Sequence, residues 1–119
     1  MIARILLGLI FFVFGLNGFL NFLPTPPMPD GAGAFAGALA ATGYMFPLIK
    51  LIEVTVGILL LANRFVALAL LLLAPITVNI LLFHAVLAPT GLPLPIVILV
   101  LHLYLARVHA SAYKPILTA

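Results

Sequence analysis

The chain has no cysteine, no tryptophan and a single serine, Ser111, and its 119 residues include only five Lys or Arg and two Asp or Glu. Without thiols there is no disulfide exchange, no thiolate nucleophile, no iron–sulfur cluster and no Cys-ligated zinc. A lone serine in the C-terminal stretch leaves no nucleophile–base arrangement, so no catalytic residue is assigned. Charge is too sparse to coat a water-soluble domain: soluble chains run at about 25% charged, and this one has 6% against 66% hydrophobic. Lipid must be the solvent for most of such a surface. The net charge of +3 comes from scattered residues and forms no basic stripe interleaved with aromatics. It therefore bears on orientation in a bilayer and not on nucleic-acid binding.

What the chain has instead is long apolar runs. A transmembrane helix needs about 20 mostly apolar residues, so the chain accommodates four, with short loops and one longer connection, as a single domain with no separate soluble unit. The first span covers residues 3–23, with Arg4 at its start and Asn17 and Asn21 toward its end. It is longer than the apolar region of a signal peptide, and the proline following it is a poor cleavage context. Residues 24–31, carrying four prolines, read as a loop. Residues 33–46 are rich in Ala and Gly and too short to span; they read as a helix at the membrane surface. Further spans are expected over residues 46–62, 65–88 and 94–109, with Pro75 bending the third, a tight turn over residues 89–93, and a short polar tail holding Tyr113 and Lys114. The expected fold is an all-α membrane protein, a four-transmembrane-helix bundle with a short interfacial helical segment between spans 1 and 2.

Arg4, Arg64, Arg107 and Lys114 fall on the N-terminus, the middle loop and the C-terminus. Four spans put those three places on one side, and the positive-inside rule makes it the cytoplasmic one. Gly8 and Gly15 lie seven apart on one face of the first span, where small residues admit a neighbouring helix.

Polar residues inside a bilayer are costly and face the bundle interior. At about 1.5 Å per residue, Asn17, Glu53, Asn79 and His102 all come to roughly 16–20 Å above the cytoplasmic boundary. One polar residue per span at one level suggests a connected cluster. Lys50, Glu53, Gly57 and Arg64 share a helical stripe, so Lys50 can reach and neutralise Glu53. Glu53 has two readings: a ligand-binding group, or polar glue between helices. His84 lies toward the outer end of its span, about 10 Å from His102 along the normal, a poor pair for bis-His haem. Three histidines at different depths do not make a zinc site either.

These marks, taken in order, resemble the DoxX family of small bacterial membrane proteins over almost the whole chain. The resemblance rests on Arg4-Ile5-Leu6-Leu7-Gly8 leading to Phe14-Gly15-Leu16-Asn17-Gly18-Phe19, on Glu53 with Gly57, on Asn63-Arg64-Phe65, and on Pro75 through Asn79 to His84. It implies a four-helix fold in the bacterial inner membrane. Some relatives are associated with oxidoreductase systems, including a thiosulfate:quinone oxidoreductase and oxidative-stress complexes. Many members carry a lysine near the position of Gly18; the glycine here departs from that pattern and removes any role borrowed from that lysine.

The expected function is a non-catalytic subunit that holds a lipophilic small molecule, a quinone being the natural candidate, or docks on a membrane oxidoreductase. No covalently bound cofactor and no metal is expected. The candidate ligand-facing residues are Asn17, Glu53, Asn79 and His102, with Lys50 and His84. A membrane assembly factor comes next, then a small proton or solute transporter, for which four helices would have to form a homo-oligomer to enclose a path. An enzyme acting alone ranks last.

Overall fold

The computed structural model describes residues 1–20 and 28–118. Among them are six α-helices and no strand: α1 (Ile2–Leu20), α2 (Asp30–Ala41), α3 (Met45–Ala62), α4 (Val66–Leu87), α5 (Pro93–Val108) and α6 (Ala110–Leu117), with a 3-10 turn over Pro89–Gly91. Helices α1, α3 and α4 are each long and apolar enough to cross a membrane. Helix α5, at 16 residues, is about 24 Å long, short of a hydrocarbon core of about 30 Å. It reaches spanning length only together with α6, from which it is bent by 78°. The expected fourth span is thus shorter than the other three.

Several boundaries follow from prolines and caps. Pro29, with φ −55°, is preset for a helix start, and Asp30 places a carboxylate at the positive end of α2. This corrects the expectation that residues 24–31 are a loop throughout: Asp30 and Gly31 form the first turn of α2, while residues 24–27, like Asn21 and residues 22–23 of the first span, lie outside the described residues. The surface helix also ends earlier than expected, at Ala41. There the Thr42 hydroxyl donates to the Leu39 carbonyl (2.7 Å) and accepts from the Met45 amide (3.0 Å), so one side chain closes α2 and opens α3. Gly43, at φ +80°, makes the reversal. Pro47 sits in the first turn of α3, where its missing N–H costs nothing.

The turn from α3 to α4 is shaped by backbone hydrogen bonds. Asn63 adopts the left-handed conformation, φ 55°; its amide bonds to the Leu60 carbonyl and the Arg64 amide to the Leu59 carbonyl. This is the Schellman arrangement, and asparagine tolerates it better than most residues. The short polar tail forms helix α6. Its Tyr113 hydroxyl donates to the Ala67 carbonyl at 2.7 Å, fastening α6 to the start of α4.

Helices α1, α3, α4 and α5 form a closed ring in which α3 packs on α1 and α4, and α5 on α4 and α1; α2 lies against α3 and α4. The α1–α3 seam is the tightest. A Cβ on Gly57 would stand 2.6 Å from the Phe12 amide nitrogen, and one on Gly15 would stand 2.9 Å from the Val54 amide nitrogen. Each helix therefore presses a glycine onto the other's backbone, in antiparallel register, as small residues permit between helices in lipid. Leu7, Phe11, Val56, Leu60, Leu70 and Leu73 fill the centre of the ring and are fully buried.

Arg4 continues the seam at its end. Its guanidinium donates to the carbonyls of Leu60 and Leu61, the latter at 3.2 Å. Those carbonyls lie in the last turn of α3, with no i+4 amide inside the helix, and carry the negative end of the helix dipole; that of Leu60 also accepts from the Asn63 amide. Met1, Ile2 and Leu6 lie beside Leu101 and Tyr104 of α5, so Arg4, Arg64, Arg107 and Lys114 gather at one end of a body 42 Å long. Around the ring the outward faces are apolar: Leu51, Ile58, Leu72, Val86, Val100 and Leu103 are all exposed.

The seam generates a paired test. Gly57→Ala should lower the midpoint of thermal unfolding in detergent, at a cost of about 1–3 kcal/mol for overpacking. Gly37, in the middle of α2, has nothing within 4 Å of a built Cβ, so Gly37→Ala should be neutral or stabilising by about 0.5–1 kcal/mol. Equal effects of the two substitutions would show that α1 and α3 do not meet at Gly57.

Candidate functional site: a polar-headed cavity at one end of the bundle

Opposite the basic end, the ring opens into a cavity of about 400 Å³. Its walls come from α1, α3, α4 and the start of α5, and α2 covers it with Phe35, Ala36 and Leu39. Most of the lining is apolar. Four polar side chains interrupt it: Lys50 and Glu53 from α3, Asn79 and His84 from α4.

Lys50 and Glu53 stand one helical turn apart, and the ammonium reaches Glu53 Oε1 at 3.4 Å. The pair is unequal in exposure: 5% of the Glu53 side chain is accessible against 23% for Lys50. What holds Lys50 there is Gly18, because a Cβ on that residue would run into the Lys50 Cγ and Cδ. The aliphatic stem of the lysine thus lies along the bare backbone of α1. Gly15, one turn earlier, leaves room for Glu53 in the same way: a Cβ on it would stand 3.2 Å from the Glu53 Cβ. The seam between α1 and α3 is therefore also what aims these two side chains into the cavity. With both groups ionised, the pair contributes no net charge.

His84 is half-buried, and its Nδ1 donates to the Ile80 carbonyl at 2.8 Å. Its ring meets the edge of Phe83, with centroids 5.1 Å apart and an interplanar angle of 79°. On its far side the ring presses on the 3-10 turn, where a Cβ on Gly91 would come within 2.6 Å of the imidazole Cδ2. Phe83 in turn contacts Phe35 of α2, centroids 5.6 Å apart. One aromatic contact thus joins the covering helix to the wall carrying His84.

The six expected site residues divide. Lys50, Glu53, Asn79 and His84 share the cavity. His102 does not: it is buried on α5 with its Nδ1 2.9 Å from the hydroxyl of Thr77, a residue that is itself 2% exposed. The expectation of one connected cluster of Asn17, Glu53, Asn79 and His102 is corrected accordingly. Matching depth was not enough, because residues two apart on a helix point about 200° apart. Asn79 faces the cavity and Thr77 faces α5, so α4 carries two separate polar contacts at one level. Asn17 is half-buried and has an interaction partner, but it is not among the cavity-lining residues.

Sequence reasoning passed over Thr77 and the capping role of Arg4. Thr77 had a signal, being a hydroxyl in an otherwise apolar span two residues from Asn79. Arg4 had none beyond its charge. No group of three or more His, Cys, Asp or Glu side chains comes together among the described residues. No family model, curated protein or solved structure matches the chain.

The ion pair makes its own prediction. Lys50→Met leaves the Glu53 carboxyl in an apolar wall without its partner and should destabilise the chain by about 1–3 kcal/mol. Adding Glu53→Gln should recover part of that loss, since the cost belongs to the orphaned carboxyl. A double variant as unstable as the sum of the two single ones would show the two side chains to be uncoupled.

Proposed function

We propose that this chain is a four-span protein of the bacterial inner membrane, DoxX-like, that binds a lipophilic small molecule in the cavity between its helices and acts as a subunit of, or partner to, a membrane oxidoreductase. The observation that carries the reading is the cavity itself. Binding sites for small molecules are concave, about 300–1,000 Å³ in volume, and apolar with a few convergent polar groups. This one has about 400 Å³ and four such groups. A quinone-like amphiphile suits it: a ring with polar substituents against Lys50, Glu53, Asn79 and His84, and an aliphatic tail leaving between apolar helices. In this reading Glu53 is a ligand-facing group and His102 is structural glue between α4 and α5. The resemblance of the sequence to DoxX proteins supports the membrane and the redox partner.

Both termini lie in the cytoplasm in this reading, because the four basic residues at one end of the bundle follow the positive-inside rule. The cavity then sits toward the outer leaflet. Reporter fusions after the C-terminus and between α1 and α2 should respond from opposite sides of the membrane, and an external C-terminus would overturn the orientation.

Ligand binding is tested by purifying the chain from native membranes in mild detergent and analysing the co-eluting lipophilic molecules and proteins by mass spectrometry. The expected result is a quinone or related amphiphile retained by the wild type and depleted several-fold in Glu53→Gln, with the fold preserved. The substitution keeps shape and hydrogen-bonding capacity but removes the charge. Retention unchanged by Glu53→Gln would leave Glu53 as helix glue and remove it from the site. A small proton or solute transporter remains the alternative, favoured by the Lys50–Glu53 pair, and it requires a homo-oligomer.

A further inference from the structure

The hydrogen-bonding polarity of the cavity narrows the ligand further, in an argument that rests on the binding reading above. The Ile80 carbonyl can only accept, so the His84 Nδ1 at 2.8 Å must carry the proton. A neutral imidazole protonated at Nδ1 keeps its lone pair on Nε2. Because Nδ1 turns back onto its own helix, the polar edge left to the cavity is the acceptor edge. Gly91 packs beside that edge, where a Cβ would stand 3.1 Å from Nε2 and closer still to Cδ2, so a larger residue there would crowd it.

The second pole of the cavity is the Lys50–Glu53 pair. A fatty-acid carboxylate would find Lys50 already engaged at 3.4 Å by Glu53 and would bring a second negative charge beside a buried carboxyl, which is unfavourable. A neutral head group that donates meets no such penalty. The wall next to His84 is aromatic, with Phe35 and Phe83 in contact, and it favours a flat ring over a branched or aliphatic head.

We infer that the cavity takes a phenolic amphiphile, an aromatic ring bearing a hydroxyl and an alkyl tail, whose O–H donates to His84 Nε2. Among quinone-like molecules this is the reduced, hydroxyl-bearing form; the oxidised form has only carbonyl acceptors and cannot make this bond. Binding involves no bond-making step and no electron transfer. At His84 the discrimination is by whether the head group carries a proton to give.

A matched pair of probes tests it. Para-octylphenol and para-octylanisole share ring and tail, but methylation removes the donor. Titrated calorimetrically into the full chain in a fixed micelle background, the phenol should bind about tenfold more tightly than the ether, the worth of one hydrogen bond in an apolar site. His84→Phe should bring that ratio to about one by weakening the phenol alone. In the wild type, the Nε2 resonance of His84 in the NMR spectrum should move on adding phenol and stay put on adding ether, a readout that does not depend on whether the variant folds. Equal binding of both probes by the wild type would overturn the donor inference while leaving the cavity as a ligand site. Binding of neither would overturn the ligand reading together with it. A preference that survives His84→Phe, or an unmoved Nε2 resonance, would take the role away from His84.

Discussion

Two helices that meet backbone to backbone set the geometry of everything else in this chain. Between segments that lipid solvates equally well, there is no hydrophobic gain in pairing, and association depends on close contact and on hydrogen bonds. Gly15 and Gly57 supply the contact from opposite sides of one seam, each lying where a Cβ would strike the other helix's backbone. Arg4 supplies the hydrogen bonds at the seam's end by donating to the last carbonyls of α3. Once α1 and α3 are locked in this register, Gly18 falls beside Lys50 and Gly15 beside Glu53. The polar head of the cavity is thus a consequence of the packing. A looser seam would let the lysine stem swing away from the carboxylate.

The remaining helices complete a ring and differ in how firmly they are held. Helix α4 is joined to α5 by the Thr77–His102 bond in the interior and to α6 by Tyr113 at the basic end. Helix α2 has one buried residue, Ala32, lies against α3 and α4, and contacts the ring through Phe35 on Phe83. It is also the element that covers the cavity. It is held at the cavity by its aromatic contact and at its C-terminal end by the Thr42 hydrogen bonds, more lightly than the helices of the ring.

Much of this was legible in the sequence because lipid imposes such strict rules. The scarcity of charge and the length of the apolar runs lead to three, or up to four, helices long and apolar enough to span a membrane. Gly15 was placed on a helix contact by its spacing from Gly8, and Lys50 was placed beside Glu53 by helical periodicity. What depth could not supply was direction. Residues at one level on four helices look like a cluster until the rotation of each helix is known, and α4 points Thr77 one way and Asn79 the other. The bend at His109 and helix α6 were hidden for a different reason. A tail of eight residues with a proline has weak local preference for a helix, and its structure depends on one tertiary bond from Tyr113.

The claim on which the account turns is the direct contact of α1 and α3 through their glycines. Its most direct test is an interhelical nuclear Overhauser effect between the Gly57 α-protons and the Phe12 amide proton, measured on the full chain in lipid bicelles. A Cβ standing 2.6 Å from the Phe12 nitrogen means that the α-proton in its place lies close enough for a strong signal. The account predicts that signal together with its counterpart between Gly15 and the Val54 amide. Absence of both, in a chain whose helices are otherwise intact, would contradict it, and with it the placement of Lys50 and Glu53 at the head of the cavity.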